Sequence, residues 1–326
     1  MRITRKQILP MILAVALTAM AMKPASCDEI SVTQYQASFY GVPYTIASEK
    51  GLFKKAGIDI TGFIGSGGGG TTVRNILASP TPYGEVAIAA ALAAAGQALD
   101  IVFVNTGTRT VAESSLVTMP NSDVKSLQDL EGKKVAITSP KSMTETILLL
   151  ELKEKGVDAG KVQRIASGGY LNSLTMLEQG AVSAAALIEP LSIIRADKYR
   201  TVVAAKDILP PMTTSVGITT RAFAKEHPDK LKAIIAGRRA GVQAVYADPK
   251  GTAEIVAGNY KLDPKVAETA INNMVGPRMW SEGGFNLEEM NRSIEALRLV
   301  GEIKGDVDLK KLIDESFLPD DLKSKH

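Results

Sequence analysis

The residues from Gly65 to Gly70 read Gly-Ser-Gly-Gly-Gly-Gly, and they can do chemistry with backbone alone. They lie between an apolar strand-like stretch (Ile58, Ile60, Phe63, Ile64) and a helix-like one (Val73, Ile76, Leu77). Glycines let the main chain approach a ligand closely and aim N–H groups at it. A helix that begins behind them adds the positive end of its dipole. Such a turn suits a polar or anionic ligand. A nucleotide-phosphate reading fails on spacing. A P-loop needs Lys and then Ser or Thr directly after the last glycine. Here Thr71 and Thr72 follow Gly70, and the nearest cation is Arg74. A dinucleotide turn needs spaced glycines and an acid about 20 residues on. Glu85 and Asp100 match that spacing poorly. The bland alternative is a flexible glycine linker. Linkers seldom lie between two apolar periodic segments.

Two further turns share this character. Ser139-Pro140-Lys141-Ser142 and Gly168-Gly169 each follow a strand pattern and precede a helix pattern. Ser142 and Glu145 have capping-box spacing, so Ser142 is also a candidate N-cap. Strand C-ends are where open α/β sheets bind ligands. Three donor-rich turns without a nucleophile–base pair point to binding rather than catalysis. The two histidines, His227 in a Glu-His-Pro-Asp turn and His326 at the C-terminus, read as surface residues. A Ser-His-Asp or Cys-His set would have to use one of them. No metal and no cofactor is expected, because the single cysteine and two histidines form no ligand cluster.

The chain has 326 residues, 45% of them hydrophobic, enough for one large domain or two lobes with cores. Its net charge of +3 is misleading. Arg2, Arg5, Lys6 and Lys23 all lie in the first 26 residues, with no acid, so the remainder is near neutral. No basic stripe suggests nucleic acid. Residues 1–27 read as an export signal: a charged start, an apolar run from Ile8 to Met22, then Lys23-Pro24 and small residues. Cys27 partly fits a lipoprotein box, although Pro24 stands where Leu is usual. The preferred reading is a soluble periplasmic protein starting near Asp28; lipid anchoring at Cys27 is the alternative.

Beyond Asp28, strand and helix patterns alternate, which predicts an α/β protein. Strands are expected at 30–35, 58–64, 86–88, 101–104, 114–119, 135–138, 162–165, 184–188, 202–203 and 214–219. Helices are expected at 42–50, 71–78 and 90–99. A short one at 124–130 would pair Lys125 with Asp129. Others are expected from 142 to about 155 and from 170 to 180. From Arg221 onward the chain reads as almost entirely helical.

Several segments, in order, resemble the exported substrate-binding proteins of ABC importers of the nitrate/sulfonate/taurine type, a group that includes thiamine-pyrimidine binders. They are Pro43 to Ile58 (PYTIASEKGLFKKAGI), the glycine run with Thr71-Thr72, Leu127 to Ala136 (LQDLEGKKVA), and Leu177 to Ala185 (LEQGAVSAA). Trp280 and Phe317-Leu318-Pro319 fit the usual ending. Ser183 departs from the common Asp. The resemblance implies a two-lobed periplasmic-binding-protein fold of type II. Two crossing hinge strands would lie near Ser114–Met119 and Thr214–Thr219. Lobe 1 would be 28–113 and 220–326, and lobe 2 would be 114–219. It implies a small-molecule ligand, a permease and ATPase complex as partners, and a monomer. A related branch, the pyrimidine synthase that consumes its own histidine, needs a cysteine-rich motif that this chain lacks.

By motif position the ligand residues are Phe39 and Tyr40, the glycine turn (Gly68, Gly69, Thr71), and Ser139, Thr144, Tyr170, Asn172 and Glu189. Arg109 could pair with an anionic group. Ordinary packing, capping or surface roles compete at these positions. Helix N-termini favour a sulfonate or carboxylate; Glu189 would favour an amine or a heterocyclic N–H. Two rival roles remain open: an exported sensor that presents its ligand to a signalling partner, and an exported enzyme.

Overall fold

The structure is a computed structural model that describes residues 28–140 and 142–324. The expected export signal, Cys27 and His326 lie outside the described residues. Among the described residues there are ten strands: β1 Asp28–Thr33, β2 Ile60–Ser66, β3 Tyr83–Ala87, β4 Val102–Thr106, β5 Ser114–Thr118, β6 Lys134–Ile137, β7 Gln163–Ala166, β8 Ala184–Ile188, β9 Arg200–Ala204 and β10 Ser215–Thr219. They form two five-stranded sheets, ordered β2-β1-β3-β10-β4 and β7-β6-β8-β5-β9. This is the two-lobed α/β architecture.

In each sheet four strands run in one direction and one intruder runs against its neighbours. β1 pairs parallel with β2 and β3, while β10 is antiparallel to β3 and β4. β6 pairs parallel with β7 and β8, while β5 is antiparallel to β8 and β9. Each intruder is the first strand made after the chain changes sheets. The expected lobe boundary is corrected here, since 215–219 is hydrogen-bonded into the first sheet rather than the second. The crossings are the segments just before the two strands, 107–113 and 205–214. They lie side by side: Gly107 N–H donates to the Ser215 carbonyl (2.9 Å), Thr214 N–H to Thr108 (2.9 Å) and Met212 N–H to Arg109 (3.0 Å).

Helices cover both faces, so the central strands are buried on both sides and read as continuous apolar runs. Ile30, Val32, Tyr83, Val86, Val104, Val216 and Ile218 are essentially inaccessible, as are Val135, Ala136 and Ala184 in the second sheet. The long helix Pro228–Ala247 packs on helix Val42–Glu49. Gly241 permits this approach, because a Cβ there would lie 2.2 Å from the Pro43 carbonyl oxygen. The helices after Arg221 return to lobe 1, and two of them also touch the second lobe. Leu287–Leu299 meets Met143–Glu154, and Pro264–Val275 meets the turn Leu191–Ile194. Among the described residues, no helix is long and apolar enough to cross a membrane.

Two local expectations are corrected. The helix expected at 124–130 is only a 3-10 turn at Gln128–Leu130. The Asp129 carboxylate accepts the backbone N–H groups of Lys125 and Ser126 (2.9 Å each), which closes a turn instead of pairing with the Lys125 side chain. The helix after the glycine run starts earlier than expected, at Gly69.

Candidate functional site

The parallel strands of both sheets end at one cleft of about 570 Å³. Thr33, Gly67 and Ala87 continue β1, β2 and β3 into its wall, and Thr138, Gly168 and Ile188 do the same from β6, β7 and β8. Four helices begin at this wall: Gly69–Ala78, Ile88–Gly96, Met143–Glu154 and Tyr170–Glu178. Only the third has a side-chain cap, with Ser142 Oγ accepting the Glu145 N–H (3.4 Å). The residues before the other three, Gly68, Ala87 and Gly169, cap nothing with a side chain. Helix-start N–H groups that lack capping side chains are donors for a ligand.

The glycine run divides its labour. A Cβ on Gly68 would meet nothing within 4 Å, so this residue leaves open space on the cleft side. A Cβ on Gly69 would lie 2.5 Å from the Ala90 methyl, so Gly69 lets two cleft helices pack together. Thr72 locks the turn from below. Its hydroxyl shares hydrogen bonds with Thr33 (2.8 Å) and Ser66 (2.5 Å) and reaches the Gly68 carbonyl (3.1 Å).

Of the residues expected from sequence, the cleft brings together Tyr40, Gly68, Gly69, Ser139, Thr144 and Tyr170. The others are placed differently, each for a visible reason. Phe39 is 1% exposed, stacks on Tyr260 and gives its carbonyl to Trp280 Nε1 (2.8 Å); it fixes the turn that carries Tyr40. Thr71 faces solvent and accepts from Arg74. Arg109 lies in a separate hollow of about 410 Å³ and is ion-paired to Glu289. Asn172 is exposed and braces the Gly168–Gly169 turn by donating to the Ser167 carbonyl (3.1 Å). Thr144, although on the wall, also holds its own turn by accepting the Thr138 N–H (2.9 Å).

Glu189 is buried behind the wall, where Asn273 Nδ2 donates to its Oε1 (2.9 Å) from across the lobe junction. Its N–H donates to the carbonyl of Glu113 (2.8 Å), an acid that the sequence expectations missed. Glu113 lines the cleft, is 5% exposed, and has an Oε2 without a protein partner. Burial, reinforced by the charge on Glu189, pushes the Glu113 carboxyl up to about 8. Burial also raises Glu189, to about 7, against the opposing pull of Asn273 and Lys206. Tyr170 rises to about 12 through burial and then Glu113, and Tyr40 rises further for the same two reasons. The available signal for Glu113 was a lone acid in Val111-Ala112-Glu113-Ser114-Ser115-Leu116-Val117, an apolar stretch at the hinge. Among the described residues, no Lys or Arg lines the cleft.

Glu85, weighed above as a ribose-binding acid, is instead a structural ion. It pairs with Arg238 (2.9 Å) in the lobe 1 core and accepts from Ser215 Oγ (2.6 Å).

Two α/β lobes with a polar cleft between their strand ends define a protein of the periplasmic-binding-protein fold. The chain belongs to the NMT1/THI5-like family, whose model matches residues 38–252. No curated protein sequence matches it. Among solved structures it resembles the periplasmic aliphatic sulphonate binding protein SsuA from Escherichia coli, with a TM-score of 0.72, 17% identity, and coverage of 89% of this chain and 92% of that one. It also resembles the periplasmic nitrate-binding protein NrtA from Synechocystis PCC 6803 (TM-score 0.68, 14% identity, coverage 90% and 87%). A third likeness is to the desulfurization enzyme DSZB (TM-score 0.67, 13% identity, coverage 89% and 97%). At these identities the likeness establishes a shared fold, one that carries both binding and catalysis.

Proposed function

We propose that this chain is an extracytoplasmic solute-binding protein that delivers a small polar organic molecule to an ABC permease and ATPase complex. The observation that carries this reading is the cleft itself, with donor-rich helix starts converging on it from both lobes. A solute there bridges the two sheets, and the crossing segments 107–113 and 205–214 are the natural hinge. Closure follows only from contacts made better in the closed arrangement. The membership of the family and the export-signal reading support a periplasmic location.

The test is a thermal-shift screen of the chain from Asp28 onward against sulfonates, carboxylates and pyrimidines. A ligand present at 100 times its Kd should stabilise the fold by about 2.7 kcal/mol. Mass spectrometry of any small molecule that co-purifies completes it. A protein that binds nothing in either experiment is not a solute carrier, and one that converts its bound solute to product is an enzyme.

A further inference from the structure

Four helix starts make this cleft hospitable to negative charge, yet its wall includes a buried acid. Glu113 is 5% exposed, and its Oε2 is buried without a protein partner. Glu189, bonded to it through the main chain, carries a second unpartnered buried oxygen, Oε2. A buried carboxyl oxygen left unpaired is costly, so these oxygens favour a polar partner supplied from outside. Among the described residues, the groups that face Glu113 give it no positive partner. They are Glu189 from the end of β8, Tyr170 from the start of helix Tyr170–Glu178, and Tyr40 from the turn Phe39–Gly41. Lys206 acts on Glu189, and Glu85 acts on Tyr40.

We infer that Glu113 is the specificity-determining residue of the cleft, and that it selects a solute with a basic nitrogen. The N–H of this solute bonds the free Glu113 oxygen, while its electron-rich end faces the starts of helices Gly69–Ala78 and Tyr170–Glu178. The inference rests on the solute-binding reading and names its ligand class. An amine, amidine or aminoheterocycle qualifies, with or without an acidic group at the far end.

The same geometry links loading to a proton. In the empty cleft burial keeps the Glu113 carboxyl protonated at neutral pH. A cationic nitrogen beside it favours the carboxylate, so the carboxylic acid and the ammonium become an ion pair and one proton leaves to solvent. An anion in the same place would do the reverse, holding the proton on Glu113 and drawing another onto Glu189.

The experiment uses the chain from Asp28 onward, unfolded, dialysed and refolded to remove any carried-over solute. Aminoalkanesulfonates, aminopyrimidines and amidines are titrated against the same skeletons without the basic nitrogen. Calorimetry at pH 7 in two buffers of different ionisation enthalpy counts the protons. The nitrogen-bearing members should bind at least about tenfold more tightly; those that are cationic at pH 7 should release about one proton per solute, whereas a neutral aminopyrimidine keeps the shared proton within the pair. Glu113→Gln should lose both the preference and the release, yet melt no lower than the parent at pH 7. A purely packing role for Glu113 would leave the proton count unchanged. Equal affinity within each pair, proton uptake on loading, or a preference that survives Glu113→Gln overturns the inference and leaves solute binding standing. If no probe binds, the molecule released from freshly purified protein decides: a solute without a basic nitrogen overturns the inference. No such molecule at all overturns the solute-binding reading itself.

Discussion

Two buried carboxylates, Glu85 and Glu113, stand at opposite ends of a scale of satisfaction. Glu85 is 0% exposed and fully engaged, with Arg238 on one oxygen and Ser215 on the other. Arg238 in turn donates from each of its other two nitrogens, to the Ser281 carbonyl (2.7 Å) and the Gly107 carbonyl (2.8 Å). That network ties β3, β10, the first crossing segment and helix Pro228–Ala247 into one body. Glu113 is nearly as buried, yet one of its oxygens has no protein partner and its neighbours include another acid. The difference teaches what each is for. A satisfied buried ion specifies the fold, whereas a buried acid left open onto a cleft marks a place where something else completes the bonding.

The largest test breaks the satisfied member. Arg238→Ala strands the Glu85 charge in the core and should cost about 3–5 kcal/mol. Urea unfolding of the variant would show this as a midpoint shift at unchanged slope. A loss below about 1 kcal/mol would mean that the Glu85 network is not a structural anchor.

A third acid sharpens the comparison without touching the solute. Glu151, on helix Met143–Glu154, is 2% exposed, and its Oε1 has no protein partner. Burial alone lifts its carboxyl from 4.5 to about 8. It faces a small space behind the cleft wall, beside Ser115 and Leu148. The sign of the linkage follows from the raised values. Below the ordinary carboxylate range both folded and unfolded chains hold the proton. Between about pH 4.5 and 8 only the folded chain does, so stability is lost as pH rises through that window. Glu113 and Glu151 act in the same direction. The unliganded protein should therefore melt higher at pH 5 than at pH 8. Glu151→Gln should flatten that slope, raising stability at pH 8 by on the order of 1–3 kcal/mol with little effect at pH 5. A parent protein that melts equally at both values would contradict the burial argument for both acids.

The glycine turn offers the same contrast between fold and site in adjacent residues. Gly69→Ala drives a methyl to 2.5 Å from Ala90 and should cost about 1–3 kcal/mol of stability. Gly68→Ala places its methyl in open space, on extended backbone that any residue adopts. It should leave the melting temperature unchanged and weaken solute binding several-fold. If instead the Gly68 variant is the unstable one, the division of labour proposed for this turn is wrong.

What the sequence made legible was periodic, and what it hid was long-range. The alternation of strands and helices, the donor-rich turns at Gly68, Ser139 and Gly168, and the Ser142 cap all rest on contacts within a few residues. The lobe assignment of 215–219 did not, because β10 finds its partners at β3 and β4, more than a hundred residues away in the chain. Glu113 was hidden for the same reason. An acid in an apolar run reads as an edge or a turn until the packing of β8 and of helix Tyr170–Glu178 shows that it is enclosed. Arg109 reads as free to meet a ligand, and nothing local reveals the core role of Glu85, since Glu289 and Arg238 come from the distant helical tail.

The smallest effect lies beside the turn, where two threonines of identical chemistry differ in what surrounds them. Thr71 faces solvent, and its only side-chain hydrogen bond among the described residues is from Arg74. Thr72, 0% exposed, ties β1, β2 and the Gly68 carbonyl together. Thr71→Ala should change stability by less than about 0.5 kcal/mol and leave solute affinity untouched, because Thr71 is not among the residues that line the cleft. Thr72→Val keeps the shape but removes the shared hydroxyl, stranding the buried Thr33 hydroxyl, and should cost about 1–3 kcal/mol. Calorimetric titration and urea melts of the two variants separate these expectations. A Thr71 variant that loses affinity would return this residue to the cleft, and would mean that the glycine turn changes its shape when solute arrives.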